Sequence, residues 1–182
     1  MKSKKDLLQE LFFNQSKSWH FEELRKKVHI GKPQLARWLL IFEKEGVIKR
    51  IKNYKKMPYY LPDFNNPSFK NQKRLFARKK LFDSGLLDHL SSLSKAKVVI
   101  FFGSFSRSDW YEKSDIDIFI YGDDKELNQS KYELKLKRDI QIHRAENKQD
   151  IKRIERLLPY ILSGEFIKGS IQDLGVEIHA KT

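Results

Sequence analysis

VVIFFGSFSRSDWYEKSDIDIFI, residues 98–120, is the stretch that decides the fold of the carboxy-terminal half. Its first five residues form a continuous apolar run. Such a run predicts a strand buried on both faces, because a strand with one wet face would alternate. Gly103 ends the run, and a glycine there permits a sharp turn and a close approach of the backbone to a ligand. A second strand is predicted over 114–121, with a short helix over 105–110 between the two.

Two carboxylates open the second strand. One residue separates Asp115 from Asp117, so on a strand both side chains point to the same side of the sheet. Neighbouring carboxylates on a buried strand repel each other and are costly to desolvate unless a cation lies between them. Oxygen ligands without histidine or cysteine favour Mg²⁺ or Mn²⁺ over Zn²⁺. Asp-x-Asp or Gly-Ser alone is usually an ordinary turn, and it is their conjunction that predicts a metal and phosphate site.

This conjunction resembles the DNA polymerase β-type nucleotidyltransferase superfamily, and is most similar to its small prokaryotic members, the minimal nucleotidyltransferases. Their mark is an apolar strand, Gly-Ser, a spacer of about this length, and Asp-x-Asp on the next strand. The resemblance implies that Gly103 and Ser104 hold the phosphates of ATP or another nucleoside triphosphate, with help from Arg107. It implies that Asp115 and Asp117 ligate Mg²⁺ or Mn²⁺. Small residues common around the arginine in the family, Ala and Gly, are Ser106 and Ser108 here.

Members of this superfamily typically add a third carboxylate from a neighbouring strand, as a metal ligand or general base. Asp139 is the first choice, since strand alternation over 138–144 places it on one face with Gln141 and His143. The alternative for Asp139 is a solvent-exposed strand cap. Glu177 is a weaker candidate for the same role.

Charge divides the chain into two halves. Residues 1–100 hold 23 Lys and Arg against 9 Asp and Glu, whereas residues 101–182 hold 14 against 15. The whole excess of positive charge therefore lies in the first half, which indicates a polyanionic partner there, with a lysine-rich solvated surface as the alternative. The absence of cysteine and of an apolar run of about 20 residues predicts a cytoplasmic protein without disulfides or a membrane span.

Residues 4–62 resemble a winged helix-turn-helix by their pattern of three helices and a hairpin. The third helix, opened by Pro33 and ended by Gly46, is the predicted recognition helix, and Asn53–Lys56 form a basic turn at the tip of the hairpin. The residues predicted to bind double-stranded DNA are Lys32, Gln34, Arg37, Lys52, Lys55 and Lys56. Protein docking or homodimerisation is the alternative role of such a module.

The sequence thus predicts an α+β protein: a winged helix-turn-helix domain over 1–62, a linker over 63–68, and a nucleotidyltransferase-type mixed α/β sheet domain over 69–182. Further helices are predicted over 69–92, where Gly85 would kink or divide the helix, over 124–136 and over 151–162, and a last strand over 176–178. The resemblance to the nucleotidyltransferases implies a magnesium-dependent transfer of a nucleoside monophosphate, AMP from ATP, to a hydroxyl acceptor. The alternatives are a DNA-binding regulator with an inactive or nucleotide-sensing fold, and an antitoxin-like partner of a small helical toxin, which is also a candidate protein acceptor.

Overall fold

The computed structural model describes residues 3–14 and 16–175. Contacts between residues divide the chain into two compact units. The amino-terminal unit contains Met1–Leu75 together with Trp110–Glu112. The carboxy-terminal unit contains Phe76–Asp109 and Lys113–Thr182. The chain passes from the first unit to the second within a helix, whereas the sequence predicted the boundary at 63–68.

The amino-terminal unit has three helices and a small antiparallel sheet. Its elements in chain order are α1 (Lys4–Asn14), β1 (Trp19–His20), α2 (Phe21–Val28), α3 (Lys32–Lys44), β2 (Ile48–Ile51) and β3 (Tyr59–Pro62). The strand order in the sheet is β1-β3-β2. Apolar residues at helical spacing form the core, because every helix buries one stripe: Leu8 and Phe12 from α1, Leu24 and Val28 from α2, Leu35, Leu39 and Phe42 from α3.

The helix ends in this unit follow local sequence signals. The Glu23 carboxylate accepts a hydrogen bond of 2.9 Å from the His20 amide at the start of α2, and this bond is the main reason that the pKa of Glu23 is lowered. Pro33 lies in the first turn of α3, where an amide would be unpaired in any case. Gly46 follows α3 with a φ of 70°, a conformation that favours glycine.

Trp110 belongs to the core of the amino-terminal unit, although its position in the sequence lies between the two motifs of the carboxy-terminal half. Its ring meets Phe13 edge-on at 6.4 Å between centroids. The buried ammonium of Lys73 lies 4.6 Å from the centroid of Trp110 and donates a hydrogen bond to the Trp110 carbonyl. A buried lysine is costly unless it is partnered, and this arrangement provides an aromatic face and a carbonyl together.

The long helix predicted over 69–92 is divided by Gly85, as expected. It forms α4 (Pro67–Ser84) and α5 (Leu86–Ser92), and Gly85 between them has a φ of 79°. A residue with this backbone conformation interrupts a right-handed helix, and glycine adopts it without steric cost.

The carboxy-terminal unit is built on a four-stranded mixed sheet. After α5 its elements are β4 (Ala96–Phe102), α6 (Gly103–Arg107), β5 (Ile116–Gly122), α7 (Gln129–Leu136), β6 (Ile140–Ala145), α8 (Lys148–Arg153), α9 (Leu158–Leu162), β7 (Glu165–Lys168) and a 3-10 helix (Ile171–Leu174). The strand order is β6-β5-β4-β7, with β5 and β6 parallel and the other pairs antiparallel. The predicted mixed sheet is therefore confirmed.

Several boundaries differ from the predictions. The short helix begins at Gly103 and ends at Arg107 instead of spanning 105–110. The helix predicted over 124–136 begins at Gln129, because the Asn128 side chain accepts from the Lys131 amide and caps it. The helix predicted over 151–162 is two helices, the second opened by Pro159. Strand β7 was not predicted, and the strand expected at 176–178 lies outside the described residues.

Strands β4 and β5 bury the residues that the sequence assigned to the sheet. Val98, Val99 and Ile100 on β4 and Ile118, Phe119 and Ile120 on β5 are all fully buried. One face of the sheet packs against α8, α9 and the 3-10 helix, through Ile151, Ile161 and Leu174. Over residues 3–14 and 16–175, no helix has the length and apolar character needed to cross a bilayer.

Candidate active site

The turn after β4 and the second aspartate are packed against each other. In the antiparallel register Phe102 is paired with Asp117, so Gly103 leaves β4 directly beside that carboxylate. Gly103 has a φ of 76°, and a Cβ added to it would lie 1.9 Å from Asp117 Oδ2. The position therefore requires glycine twice over, for its backbone conformation and for the space that the carboxylate occupies.

Asp115 and Asp117 lie close enough to affect each other electrostatically. Asp115 immediately precedes β5 and Asp117 is its second residue; both are half-buried. The pKa of Asp117 is raised chiefly by burial, and the negative charge of Asp115 raises it further, while His143 opposes the shift. A carboxylate whose charged form is disfavoured by burial and by a neighbouring carboxylate is suited to a cation, because a nearby positive charge favours that charged form. The donor set thus fits a divalent metal ion.

His143 lies beside this pair. Its Nε2 is 3.8 Å from Asp117 Oδ1, and its ring meets that of Phe102 edge-on with 5.2 Å between the centroids. The residue is half-buried on β6. It had no ligand role in the sequence-based prediction, because histidine spacing in the chain carries no metal signature.

Asp139 is placed differently from the two aspartates. It precedes β6, its side chain is exposed, and its carbonyl accepts a hydrogen bond of 2.9 Å from the Ile116 amide. In the parallel register it is Gln141 that pairs with Asp117. Among the described residues, no three His, Cys, Asp or Glu side chains are grouped so as to hold a metal ion. The carboxylate of Asp139 is therefore not part of such a group, and Glu177 lies outside the described residues.

The remaining predicted phosphate ligands lie on α6. The Ser104 hydroxyl makes no hydrogen bond to the described part of the chain, so it is available to a ligand. Arg107 is exposed, and its Nε lies 3.1 Å from Asp109 Oδ2 in a surface ion pair. Ser108 adopts a φ of 68°, the conformation that a glycine would supply more cheaply. Ser108 therefore forms this turn at a cost in backbone strain.

Arg138 is a residue that the sequence interpretation missed. Its guanidinium lies 4.8 Å from the centroid of Phe105 on α6, and its Nη1 donates a hydrogen bond of 2.8 Å to the carbonyl of Ser114. Arg138 therefore connects the helix after Gly103 with the residue before Asp115. Arg138 directly precedes Asp139 in the sequence, but its contacts with Phe105 and Ser114 cannot be predicted from residue spacing.

The residues predicted to bind DNA are all in the amino-terminal unit. Lys32, Gln34 and Arg37 are exposed on α3, and Lys32 Nζ lies 3.5 Å from Glu22 Oε1. Lys52, Lys55 and Lys56 are exposed between β2 and β3. The unit thus carries these predicted DNA-binding residues on one helix and on one hairpin.

Residues 86–172 match the family model described as "Polymerase beta, Nucleotidyltransferase". The match covers just under half of the chain and contains β4, the Gly103 turn, Asp115, Asp117 and Asp139. It supports a nucleotidyltransferase domain in this part of the chain, in agreement with the resemblance seen in the sequence. No curated protein matches the chain, and no solved structure matches it.

Proposed function

We propose that the chain is a magnesium-dependent nucleotidyltransferase that moves a nucleoside monophosphate, AMP from ATP, to a hydroxyl acceptor. The observation that carries this proposal is the packing of the Gly103 turn against Asp117, with Asp115 adjacent, inside the segment that matches the nucleotidyltransferase family. A turn that admits backbone close to phosphate and two carboxylates that need a cation are the two parts that this chemistry requires.

In this proposal one set of residues binds the phosphates and another set binds the metal ion. Gly103 and Ser104 hold the terminal phosphates, Ser104 through a hydroxyl that makes no hydrogen bond to the described residues, and Arg107 adds positive charge once it leaves Asp109. Asp115 and Asp117 are the residues that would hold Mg²⁺ or Mn²⁺. A divalent cation held there would neutralise charge on the triphosphate and on the leaving pyrophosphate.

The transfer itself is an in-line displacement. The acceptor hydroxyl oxygen forms a bond to the α-phosphorus while the bond from that phosphorus to the bridging oxygen breaks, and pyrophosphate leaves with the electron pair. The proton of the hydroxyl passes to a base, for which Asp139 is proposed. Positioning by the turn and by the carboxylates supplies most of the acceleration, since no covalent intermediate with the protein is needed.

The experiment is a transfer assay with ATP labelled at the α-phosphate, Mg²⁺ or Mn²⁺, and protein, RNA and DNA acceptors, the protein acceptors including small helical proteins of the toxin type. Asp115→Asn and Asp117→Asn are expected to remove the signal. Asp83→Asn serves as the matched control, because Asp83 forms an exposed ion pair with Lys79 on α4 and belongs to neither of the two motifs. If the parent protein neither binds a nucleotide nor labels any acceptor, the proposal is wrong.

Asp139→Asn is expected to separate the base from the metal ligands. Loss of a general base lowers turnover by roughly 100-fold or more, while nucleotide affinity measured by calorimetry should change little, because Asp139 is not grouped with Asp115 and Asp117. The comparison of kcat with the dissociation constant for ATP makes the check. Equal activity of Asp139→Asn and the parent would assign Asp139 to the strand end in solvent.

We propose further that the amino-terminal unit is a winged helix-turn-helix that binds double-stranded DNA. The order of three helices and a hairpin, with a β1-β3-β2 sheet, supports this architecture. In such a module α3 lies in the major groove and the hairpin contacts the backbone or the minor groove. Arg37 and Gln34 would reach base edges, and Lys32, Lys52, Lys55 and Lys56 would bind phosphates.

Duplex binding by the full chain is expected to weaken with salt. Each phosphate contact contributes a slope of about −0.9 in a plot of log K against log salt concentration, because bound counterions are released. Lys52→Ala should reduce the magnitude of the slope by about 0.9, the contribution of one phosphate contact. Arg37→Ala should lower the binding free energy by roughly 1–3 kcal/mol and relax the sequence preference. Affinity independent of salt would contradict DNA binding and favour the alternative role in protein docking or homodimerisation.

The regulator hypothesis predicts a different combination of results. A domain that only senses nucleotide would bind ATP through the same turn, with no label transferred to any acceptor, and duplex affinity would change on adding ATP. An antitoxin-like protein would instead be identified by a stable complex with a small helical partner.

A further inference from the structure

The basic turn Asn53–Lys56 carries an exposed aromatic residue at the tip of the hairpin. Tyr54 is 87% exposed, the most of any large hydrophobic residue that the structure describes, and Met57 directly after the turn is 74% exposed. Isolated exposed apolar residues are ordinary, but two within four positions of one hairpin form a small apolar tip.

This tip has a defined shape. The Lys56 amide donates a hydrogen bond of 3.2 Å to the Asn53 carbonyl, which closes the turn. Lys55 adopts a left-handed conformation with a φ of 56°, which is uncommon for a residue with a side chain. Its ammonium lies 5.3 Å from the centroid of the Tyr54 ring. The turn thus holds the ring out from the hairpin with a cation beside it.

The charge around the tip is of one sign. From Arg50 to Met57 the chain contains four basic residues and no acidic one, and all four are exposed. A surface of uniformly positive charge attracts a polyanion, because each cation can neutralise a phosphate and release bound counterions. Charge complementarity therefore points to nucleic acid as the occupant, and the apolar tip adds a contact that phosphates cannot satisfy.

We infer that Tyr54 and Met57 enter the minor groove of the duplex and contact bases, as an apolar wedge, while the lysines beside them bind the flanking phosphates. Wedges of this kind partly unstack a base step and bend the duplex. The inference rests on the proposed DNA binding of the amino-terminal unit and deepens it, because it names the groove and the residues that enter it.

The test measures full-chain binding to a short fluorescent duplex over a range of salt. Tyr54→Ala should weaken binding roughly 5- to 100-fold, by analogy with the loss of aromatic contacts to bases, without changing the salt slope. Tyr54→Phe should keep the affinity, since the ring makes the contact. Tyr160→Ala is the matched control, because Tyr160 is 61% exposed on α9 in the other unit. Lys56→Ala, unlike Tyr54→Ala, should reduce the magnitude of the salt slope by about 0.9, because one phosphate contact is lost.

A duplex labelled at both ends provides a second readout. The parent should bring the ends closer by bending the duplex, and Tyr54→Ala should lose this change even at saturating protein. If the parent binds the duplex with the expected salt slope but Tyr54→Ala binds and bends it equally well, the wedge is wrong and the DNA-binding proposal stands. If a single strand binds as tightly as the duplex, with the same dependence on Tyr54, the minor-groove assignment is overturned. If the parent binds no duplex at any salt concentration, both proposals fall together.

Discussion

Asp117→Asn is expected to abolish Mg²⁺-dependent binding of nucleoside triphosphate and, at the same time, to stabilise the metal-free protein. Loss of a direct ligand should lower metal affinity by more than the roughly 10- to 100-fold that loss of an outer partner costs. The gain in stability follows from burial, which disfavours the charged form of Asp117 and raises its pKa. The residue would thus be retained for ligand binding against a cost in stability.

The raised pKa of Asp117 determines the direction in which the stability of the metal-free protein changes with pH. The folded protein holds the proton of Asp117 more tightly than the unfolded chain, because burial and the charge of Asp115 raise its pKa, even though His143 opposes the shift. Stability of the metal-free parent therefore falls as the pH rises from the ordinary aspartate value of about 3.9 through the raised pKa. Asparagine does not titrate, so the advantage of Asp117→Asn should be small in acid and complete above the raised pKa.

Thermal unfolding with and without Mg²⁺ and ATP measures both effects. The parent should gain stability on adding the ligands, by an amount set by their concentration relative to the dissociation constant. Asp117→Asn should start from a higher melting temperature and gain nothing, and Asp83→Asn should follow the parent. A lower melting temperature of metal-free Asp117→Asn, measured above the raised pKa, would contradict the electrostatic account of the site.

The sequence was informative where one residue type had one physical explanation. The five-residue apolar run predicted a strand buried on both faces, and Gly85 in a helical pattern marked the division between α4 and α5. Gly103 was predicted from backbone geometry, and the structure adds the contact with Asp117 as a second reason.

Features that depend on which strands pair with each other could not be predicted from the sequence. Strand β7 is short and half-buried throughout, so no alternation marks it, and it exists because β4 offers a free edge. The same limit applies to Asp139. Alternation predicted one face of the strand for Asp139, Gln141 and His143, but only the register with β5 shows that Gln141 is opposite Asp117. The side chain that completes the site depends on the pairing register with the neighbouring strand, and the residue pattern of one strand does not reveal that register.

Gly103→Ala is expected to destabilise the carboxy-terminal unit and to abolish nucleotide binding at the same time. The new Cβ would lie 1.9 Å from Asp117 Oδ2 and 2.7 Å from its Cγ, so the carboxylate or the turn must move. The left-handed backbone costs about 1–2 kcal/mol for a residue with a side chain, and overpacking adds typically 1–3 kcal/mol. Nucleotide binding should be lost as well, because the phosphate turn and the carboxylate can no longer occupy their places together.

Gly85→Ala separates the two contributions. Gly85 has nearly the same φ, 79° against 76°, but a Cβ there meets nothing within 4 Å. Its substitution therefore measures the backbone cost alone, and the excess loss of stability in Gly103→Ala measures the clash with the carboxylate. Combining Gly103→Ala with Asp117→Ala should recover most of that excess, because the second change removes the two atoms that the new methyl group meets most closely, Oδ2 and Cγ, and leaves only the Cβ at 2.9 Å. Additive losses in the double variant would mean that Gly103 and Asp117 are not packed together, and the shared phosphate and metal site would have to be abandoned.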